Sequence, residues 1–396
     1  MTLSVLHVHL AFPPSRYYGG PTESTYQLCR ALATGGATVK VLTSNADGPH
    51  NLDVPTGRWS EVDGIDVYFG KRVGHTQVVP DVFFGLRDAY RTADVIHLTG
   101  VLGPLLPIVA CRSATAHCPL VVSARGVFLP QALARRRLKK KLFHLLVGSW
   151  AYRSVACFHA TSVAEAESIT SAVSHARVAV IPNGVSLPTT AGEAAPALRG
   201  KGPPVGGPYL LFLGRIHPHK RLDRVIEAFQ RVAAVNKPLS LVVAGSGDAR
   251  YVAELERSAP LSGPGPVRFI GPVAGPEKSA LLSGAAGLVL ASRSENFGMV
   301  VAEALAHGTP CVVTKSAPWG GLERERCGYW TGDSLDALVE GMCRLVSLTP
   351  EERQAMGERG RAWMKRDYSW ESVAERMLAL YRSVVDEHRS EASGRQ

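Results

Sequence analysis

No apolar run in the 396-residue chain reaches the 18 or so residues that a membrane-spanning helix needs. The opening, MTLSVLHVHLAFPPSRYYGG, lacks a positive n-region and a small-residue cleavage site, so a first strand is expected there rather than a signal peptide. The seven cysteines (29, 111, 118, 157, 311, 327 and 343) include no C-x-x-C pair. That disfavours zinc sites and disulfide frameworks and fits a reducing cytosol. The dinucleotide fingerprint G-x-G-x-x-G is absent. So is any D-x-D pair, the usual carboxylate clamp for a metal bound to a diphosphate.

What is present is ordinary for a soluble globular protein, with 45% hydrophobic and 20% charged residues, and the length suits two domains. The net charge of +10 favours anionic partners: nucleic acid, phosphorylated substrates or an anionic membrane face. Nucleic acid is the weakest of these, because no aromatics interleave the basic runs and no known binding module is present.

Short β-branched runs alternate with helical patterns. SVLHVHL, TVKVLTS, DVIHLT, LVVSA, CFHATS and VAVIPNG read as strands in the first half; YLLFLG, LSLVVAG, VRFIG, GLVLAS and PCVVTK do so in the second. The alternation predicts an α/β fold of two doubly wound, Rossmann-like parallel-sheet domains facing a deep cleft. A Pro/Gly/Ala-rich stretch over 186–208 suggests the hinge. The expected domains are residues 1–186 and 187–374. An amphipathic tail helix is expected over 368–387 with Ser369 as N-cap, followed by a disordered HRSEASGRQ.

Three stretches carry chemistry. SENFGMVVAEALAHG puts Glu295 in a loop after a strand and Glu303 within an apolar helix expected to start near Phe297. The backbone amides there make an anion site, and Gly298 lets a ligand approach closely. A carboxylate on either side, acceptor-only, suits sugar and ribose hydroxyls. The bland alternative is a solvated loop charge and a buried glutamate paired with an arginine. In YLLFLGRIHPHK, Arg215 and Lys220 follow a strand and could neutralise a leaving diphosphate, or form an ordinary basic loop. In RYYGGPTEST, Gly19 and Gly20 permit a tight turn near a phosphate or sugar.

Together these stretches resemble the GT-B glycosyltransferases of family GT4, retaining enzymes that use nucleotide-diphosphate sugars. The E-x7-E motif matches Glu295 and Glu303, G-R-x-x-x-x-K matches Arg215 and Lys220, and the glycine loop matches Gly19 and Gly20. SARGVF, HATSVAEAESI and SENFGMVVAEALAHGTPCVVTKSAPW look most like bacterial members that build exopolysaccharide or lipopolysaccharide. The resemblance implies that Glu295 contacts the donor sugar, Glu303 the ribose, and Arg215 and Lys220 the diphosphate. Amides of Asn296, Phe297, Gly298, Met299 and Val300 would assist, and the turn at Val273 would meet the base. It implies no metal and no cofactor beyond the nucleotide-diphosphate sugar as co-substrate, a glycan or lipid-linked acceptor, and a tail helix, about 375–387, returning to the first domain. A sugar epimerase, a transferase on a small soluble acceptor, or a silent nucleotide-sugar-binding or membrane scaffold protein are the alternatives.

Arg125 stands where many members carry histidine; it either binds an anionic sugar or acceptor phosphate or pins its loop. Ser186 replaces a common Asp, and glycines follow Trp319 where polar residues are expected. His97 either lies near the acceptor or makes a structural hydrogen bond. His7 and His9 point the same way on the first strand, as a metal pair or, more commonly for such a pair, as core and loop residues. Arg135, Arg136, Arg137, Lys139, Lys140 and Lys141 read as a basic amphipathic helix, either docking on an anionic membrane or forming a solvated face. The expected location is cytoplasmic, peripheral on the inner face of the cytoplasmic membrane.

Overall fold

The structure, a computed structural model, describes residues 2–15, 17–74, 79–84, 86–101, 105–129, 149–188, 207–235, 238–260 and 265–394. The basic run 135–141 and most of the expected hinge, 189–206, lie outside them. The chain forms two compact units, Met1–Gly184 with Trp370–Gln396, and Val185–Ser369. Both crossing points fall outside the Pro/Gly-rich stretch, at 184/185 and 369/370. No helix of the described residues is long and apolar enough to cross a membrane.

The second unit is a six-stranded sheet in the order Val267–Gly271, Ser240–Ala244, Tyr209–Leu213, Gly287–Leu290, Cys311–Thr314, Gly328–Thr331. Every pairing is parallel. Its central strands are apolar on both faces because helices cover both, and Leu210, Leu211, Val242, Val243 and Leu288 are all buried. One covering helix, Leu222–Val235, buries Leu222, Val225, Ile226, Phe229, Val232 and Ala233, the three-and-four spacing of an amphipathic stripe. Numbered along the chain, the strands run 3-2-1-4-5-6, so the order reverses between Tyr209–Leu213 and Gly287–Leu290. Such a switch point opens a crevice at the strands' carboxyl ends.

The first unit is an eight-stranded sheet in the order Val178–Val180, Val155–Ala160, Leu120–Ser123, Val95–Thr99, Ser4–Val8, Thr38–Ser44, Ile65–Gly70, Trp59–Val62. Its last strand is antiparallel, an exception to the expected all-parallel sheet. The hairpin that makes it turns on Asp63 and Gly64, both at positive φ (50° and 79°), the geometry that an Asp-Gly pair favours.

The tail forms one helix, Trp370–Ser393, against the first unit's helix Gly20–Thr34. It does not end at 387 with a disordered remainder. Arg389 Nη2 donates to Asp94 at 2.9 Å, and His388 Nε2 lies 3.2 Å from the His117 carbonyl, so the last turns are tied down.

A buried relay fixes this helix to the sheet. His159 Nε2 lies 2.7 Å from the Ile181 carbonyl, which can only accept, so Nε2 carries the proton. His159 Nδ1 then accepts from Ser123 Oγ (2.7 Å), Ser123 Oγ accepts from His97 Nε2 (2.7 Å), and His97 Nδ1 accepts from Tyr381 Oη (2.5 Å). With both imidazoles neutral, every link of the chain has one donor and one acceptor. Burial, with the neighbouring Arg125 charge, holds His159 down to about 3; burial, then His7, drives His97 well below its ordinary value. These folded-state values lie below the unfolded one, so acid protonates the unfolded chain first. Stability present above the ordinary histidine value is therefore lost as pH falls through it toward 3. The melting midpoint should drop between pH 7.5 and 5. His97→Phe should cost about 2 kcal/mol or more, because Tyr381 and Ser123 lose partners, and should flatten the pH slope. An unchanged slope in that variant, read by denaturation at several pH values, would refute the relay.

Candidate active site

The switch point of the second unit gathers its charged residues. The loop after Tyr209–Leu213 carries Arg215 and the turn Pro218–Lys220; the loop after Gly287–Leu290 carries Ser292 and Glu295. The two loops are joined through backbone. Arg293 N donates to the His219 carbonyl at 2.8 Å, and His219 Nε2 sits 3.1 Å from the Ser294 carbonyl. Glu295 N donates to the Ser316 carbonyl at 3.0 Å, which anchors the loop from a third side.

Glu295 is 13% exposed and ion-paired to Lys220. Ser292 Oγ donates to the same carboxylate oxygen at 2.6 Å. Arg215 is exposed and makes no hydrogen bond or ion pair among the described residues. Lys220 and Glu295 thus form a matched charge pair, and Arg215 is a guanidinium with donors to spare.

The helix after this loop is Met299–Ala306, two residues later than the sequence suggests. Gly298 precedes it in the left-handed region (φ 84°, ψ 59°), where a side chain would be strained. No side chain caps this end and no acidic residue occupies its first turn. Its first amides and positive dipole end are therefore free for an anionic ligand. Trp319 steadies the turn: buried, its Nε1 donates to the Phe297 carbonyl at 2.5 Å, and its ring stacks on Tyr368. The residue is a support beneath the loop rather than a sugar-facing surface.

Glu303 lies four residues into the helix, about 6 Å along its axis. Its partner is a lysine rather than an arginine: Lys278 Nζ donates to Oε1 at 2.6 Å, with the carboxylate side chain 25% exposed. Lys278 sits on Gly275–Gly284, whose preceding turn carries the half-buried Val273. Neither Lys278 nor Ser292 was singled out from the sequence. Ser292 is three residues from Glu295 and could have been noticed; Lys278 is one basic residue among many, 25 positions from its partner.

The remaining candidates belong to the first unit. Gly19 caps Gly20–Thr34 at φ 65°; a side-chain carbon there or at Gly20 would meet nothing within 4 Å, so conformation rather than crowding asks for glycine at 19. His97 is sealed in the relay with both nitrogens engaged, which is the structural alternative rather than an acceptor-facing role. His7 is likewise core, its Nε2 3.0 Å from Thr99 Oγ1. Burial, with the Arg125 charge next, lowers His9 to about 4. Arg125 adopts a left-handed φ of 54° after Leu120–Ser123, and its Nη1 donates to Asn183 Oδ1. Its Nε is shielded from water without an acceptor among the described residues. Burial lowers its pKa, and Glu165 opposes that shift. Among the described residues no three His, Cys, Asp or Glu side chains gather as a metal site.

Residues 18–188 match the family described as Glycosyltransferase Family 4, and residues 197–363 match Glycosyl transferases group 1. A D-inositol 3-phosphate glycosyltransferase of Salinispora tropica is 34% identical over 48% of this chain and 41% of its own length. The chain spans only about half the length of the relatives of that name that it first matches. A GDP-mannose:cellobiosyl-diphosphopolyprenol alpha-mannosyltransferase of Xanthomonas oryzae pv. oryzae is 25% identical over 97% of both chains. HepE of Anabaena, solved in complex with UDP-glucose, shares the fold at 18% identity, with a TM-score of 0.70 over 96% of this chain and all of that one. With one family match in each compact unit and the fold shared along the whole chain, the protein belongs to the family 4 and group 1 glycosyltransferases of GT-B fold.

Proposed function

We propose that the protein transfers a sugar, with retention, from a UDP- or GDP-sugar to a glycan or lipid-linked acceptor in surface polysaccharide synthesis. The observation that carries this is the joined pair of loops at the switch point, with Arg215 and the Lys220–Glu295 pair beside an uncapped helix start. The Xanthomonas relative, named for a GDP-mannose donor and a diphosphopolyprenol-linked acceptor, and the Anabaena neighbour, solved with UDP-glucose, support the donor and acceptor classes. A lipid-linked acceptor also supports a cytoplasmic location at the inner face of the membrane, with the basic residues 135–141 as the docking element.

In the proposed reaction the bond between the anomeric carbon and the leaving phosphate oxygen breaks, and its electron pair stays on the phosphate. The acceptor hydroxyl oxygen bonds the same face of that carbon, and its proton passes to the departing phosphate oxygen. Arg215, Lys220 and the amides of Met299 and Val300 meet the charge that develops there. Glu295 accepts from donor-sugar hydroxyls and Glu303 from the ribose diol, each sharing its carboxylate between ligand and lysine. We propose that no divalent ion is needed, because these cations and amides supply the positive charge.

Lys220→Ala and Glu295→Ala should each reduce turnover about a hundredfold or more while leaving the melting midpoint within a few degrees of wild type. Full activity in either folded variant would sink the assignment. Calorimetric titration with UDP, GDP and ADP in EDTA should give saturable binding of one nucleotide, lost in Lys220→Ala. Binding only when magnesium is restored would overturn metal independence. A sugar nucleotide that binds without releasing diphosphate in the presence of candidate acceptors would favour a silent binding protein.

A further inference from the structure

The first unit has a cavity at the amino ends of two interior strands of its sheet. It measures about 260 Å³ and is lined by Arg87, Tyr90 and Arg91 from one helix and Arg112, Thr115 and Ala116 from another. The helices are Arg87–Arg91 and Leu105–Ala116. Each offers positions i, i+3 and i+4, the spacing of a single face. Three arginines therefore line one space, and among the described residues its lining holds no carboxylate.

For Arg87 and Arg91 that arrangement carries a small cost without an anion. Like charges four apart on a helix repel by a few tenths of a kcal/mol. Arg91, in the last turn, gains from the helix dipole, but Arg87, at the first position, faces its positive end. Arg87 and Arg91 are exposed, and neither has a hydrogen-bonded or ion-paired side-chain partner among the described residues. The residues outside the described set carry one acidic side chain, Glu193.

The location separates this cavity from the chemistry. Arg91 leads through Thr92 into Val95–Thr99, and Ala116 leads through His117 into Leu120–Ser123, so the cavity lies at the amino ends of those strands. Gly19 and Arg125 follow carboxyl ends, about 15 Å away for a strand of this length.

We propose that Arg87, Arg91 and Arg112 form a second anion site that takes a phosphate or diphosphate group. Guanidinium forks suit phosphate oxygens bidentately. The space, at about 30 Å³ per water, is several waters large and admits a diphosphate. The group comes either from a soluble phosphate ester or from a lipid headgroup. The site does not depend on the proposed transferase reaction.

The test starts from Arg215→Ala/Lys220→Ala, which removes the other phosphate site. Inorganic pyrophosphate in EDTA should still raise the melting midpoint of this protein, and adding Arg87→Ala/Arg91→Ala should abolish the rise. Co-sedimentation with phosphatidylcholine vesicles containing one-fifth phosphatidic acid forms the second arm. A loss of at least threefold on Arg87→Ala/Arg91→Ala identifies a headgroup site; unchanged sedimentation with the pyrophosphate response intact identifies a soluble ligand. Arg250→Ala/Arg268→Ala removes the same charge from exposed positions of the second unit. An equal loss in that control, or no dependence on Arg87 and Arg91 in either arm, would overturn the proposal.

Discussion

A carboxylate that has lost most of its water needs a cation beside it, and the second unit is organised around that constraint. Glu295 and Glu303 are each largely shielded, and each is held by a lysine from a neighbouring segment. The pairings draw three parts of the chain together: the turn ending at Lys220, the loop through Ser292 and Glu295, and the helix bearing Lys278. Because both lysines have rotatable ammonium donors and both carboxylates keep a second oxygen, a ligand hydroxyl can join each pair without breaking it.

The backbone between those glutamates is under a second constraint. Gly298 takes a left-handed conformation, and a side-chain carbon there would also come 3.2 Å from Trp319 Nε1. The same indole nitrogen holds the Phe297 carbonyl. Turn and support are therefore coupled: the indole that crowds out a side chain at 298 also fixes the peptide before it. The result is a helix start with exposed amides on a rigid base, and precise placement of donors matters more to charge stabilisation than their number.

Much of this was legible. Apolar runs with regular spacing revealed the parallel strands, and E-N-F-G before an apolar helix pointed to the uncapped helix start at Met299. What escaped has physical causes. The Trp59–Val62 hairpin is half exposed and lacks a continuous apolar run, although its Asp-Gly turn was a usable signal. The short strand Gly328–Thr331 is aromatic and at an edge. The partners of the glutamates are long-range lysines, which sequence spacing does not encode. His97 was ambiguous because a histidine ending a strand looks the same whether it faces solvent or Tyr381, 284 residues away. The tail helix was seen but cut short, because a polar composition says nothing of the ties that Asp94 and the His117 carbonyl make to it.

In the proposed reaction, charge in the crevice meets a changing ligand rather than a static one. With Lys220 matched by Glu295, Arg215 and the helix end contribute unmatched positive charge. In the proposed reaction a sugar diphosphate gains one further negative charge as its glycosidic bond breaks. Interactions that strengthen at that moment lower the barrier, whereas those equally strong beforehand only tighten binding. An exposed guanidinium without a carboxylate, aided by amides that need no reorganisation, has most to gain from the added charge. The lysine–glutamate pair can supply more by shifting Lys220 toward the phosphate while Glu295 turns to the sugar hydroxyls. In the proposed reaction one ion pair would thus serve both halves of the breaking bond, a role that suits two residues on loops joined through backbone.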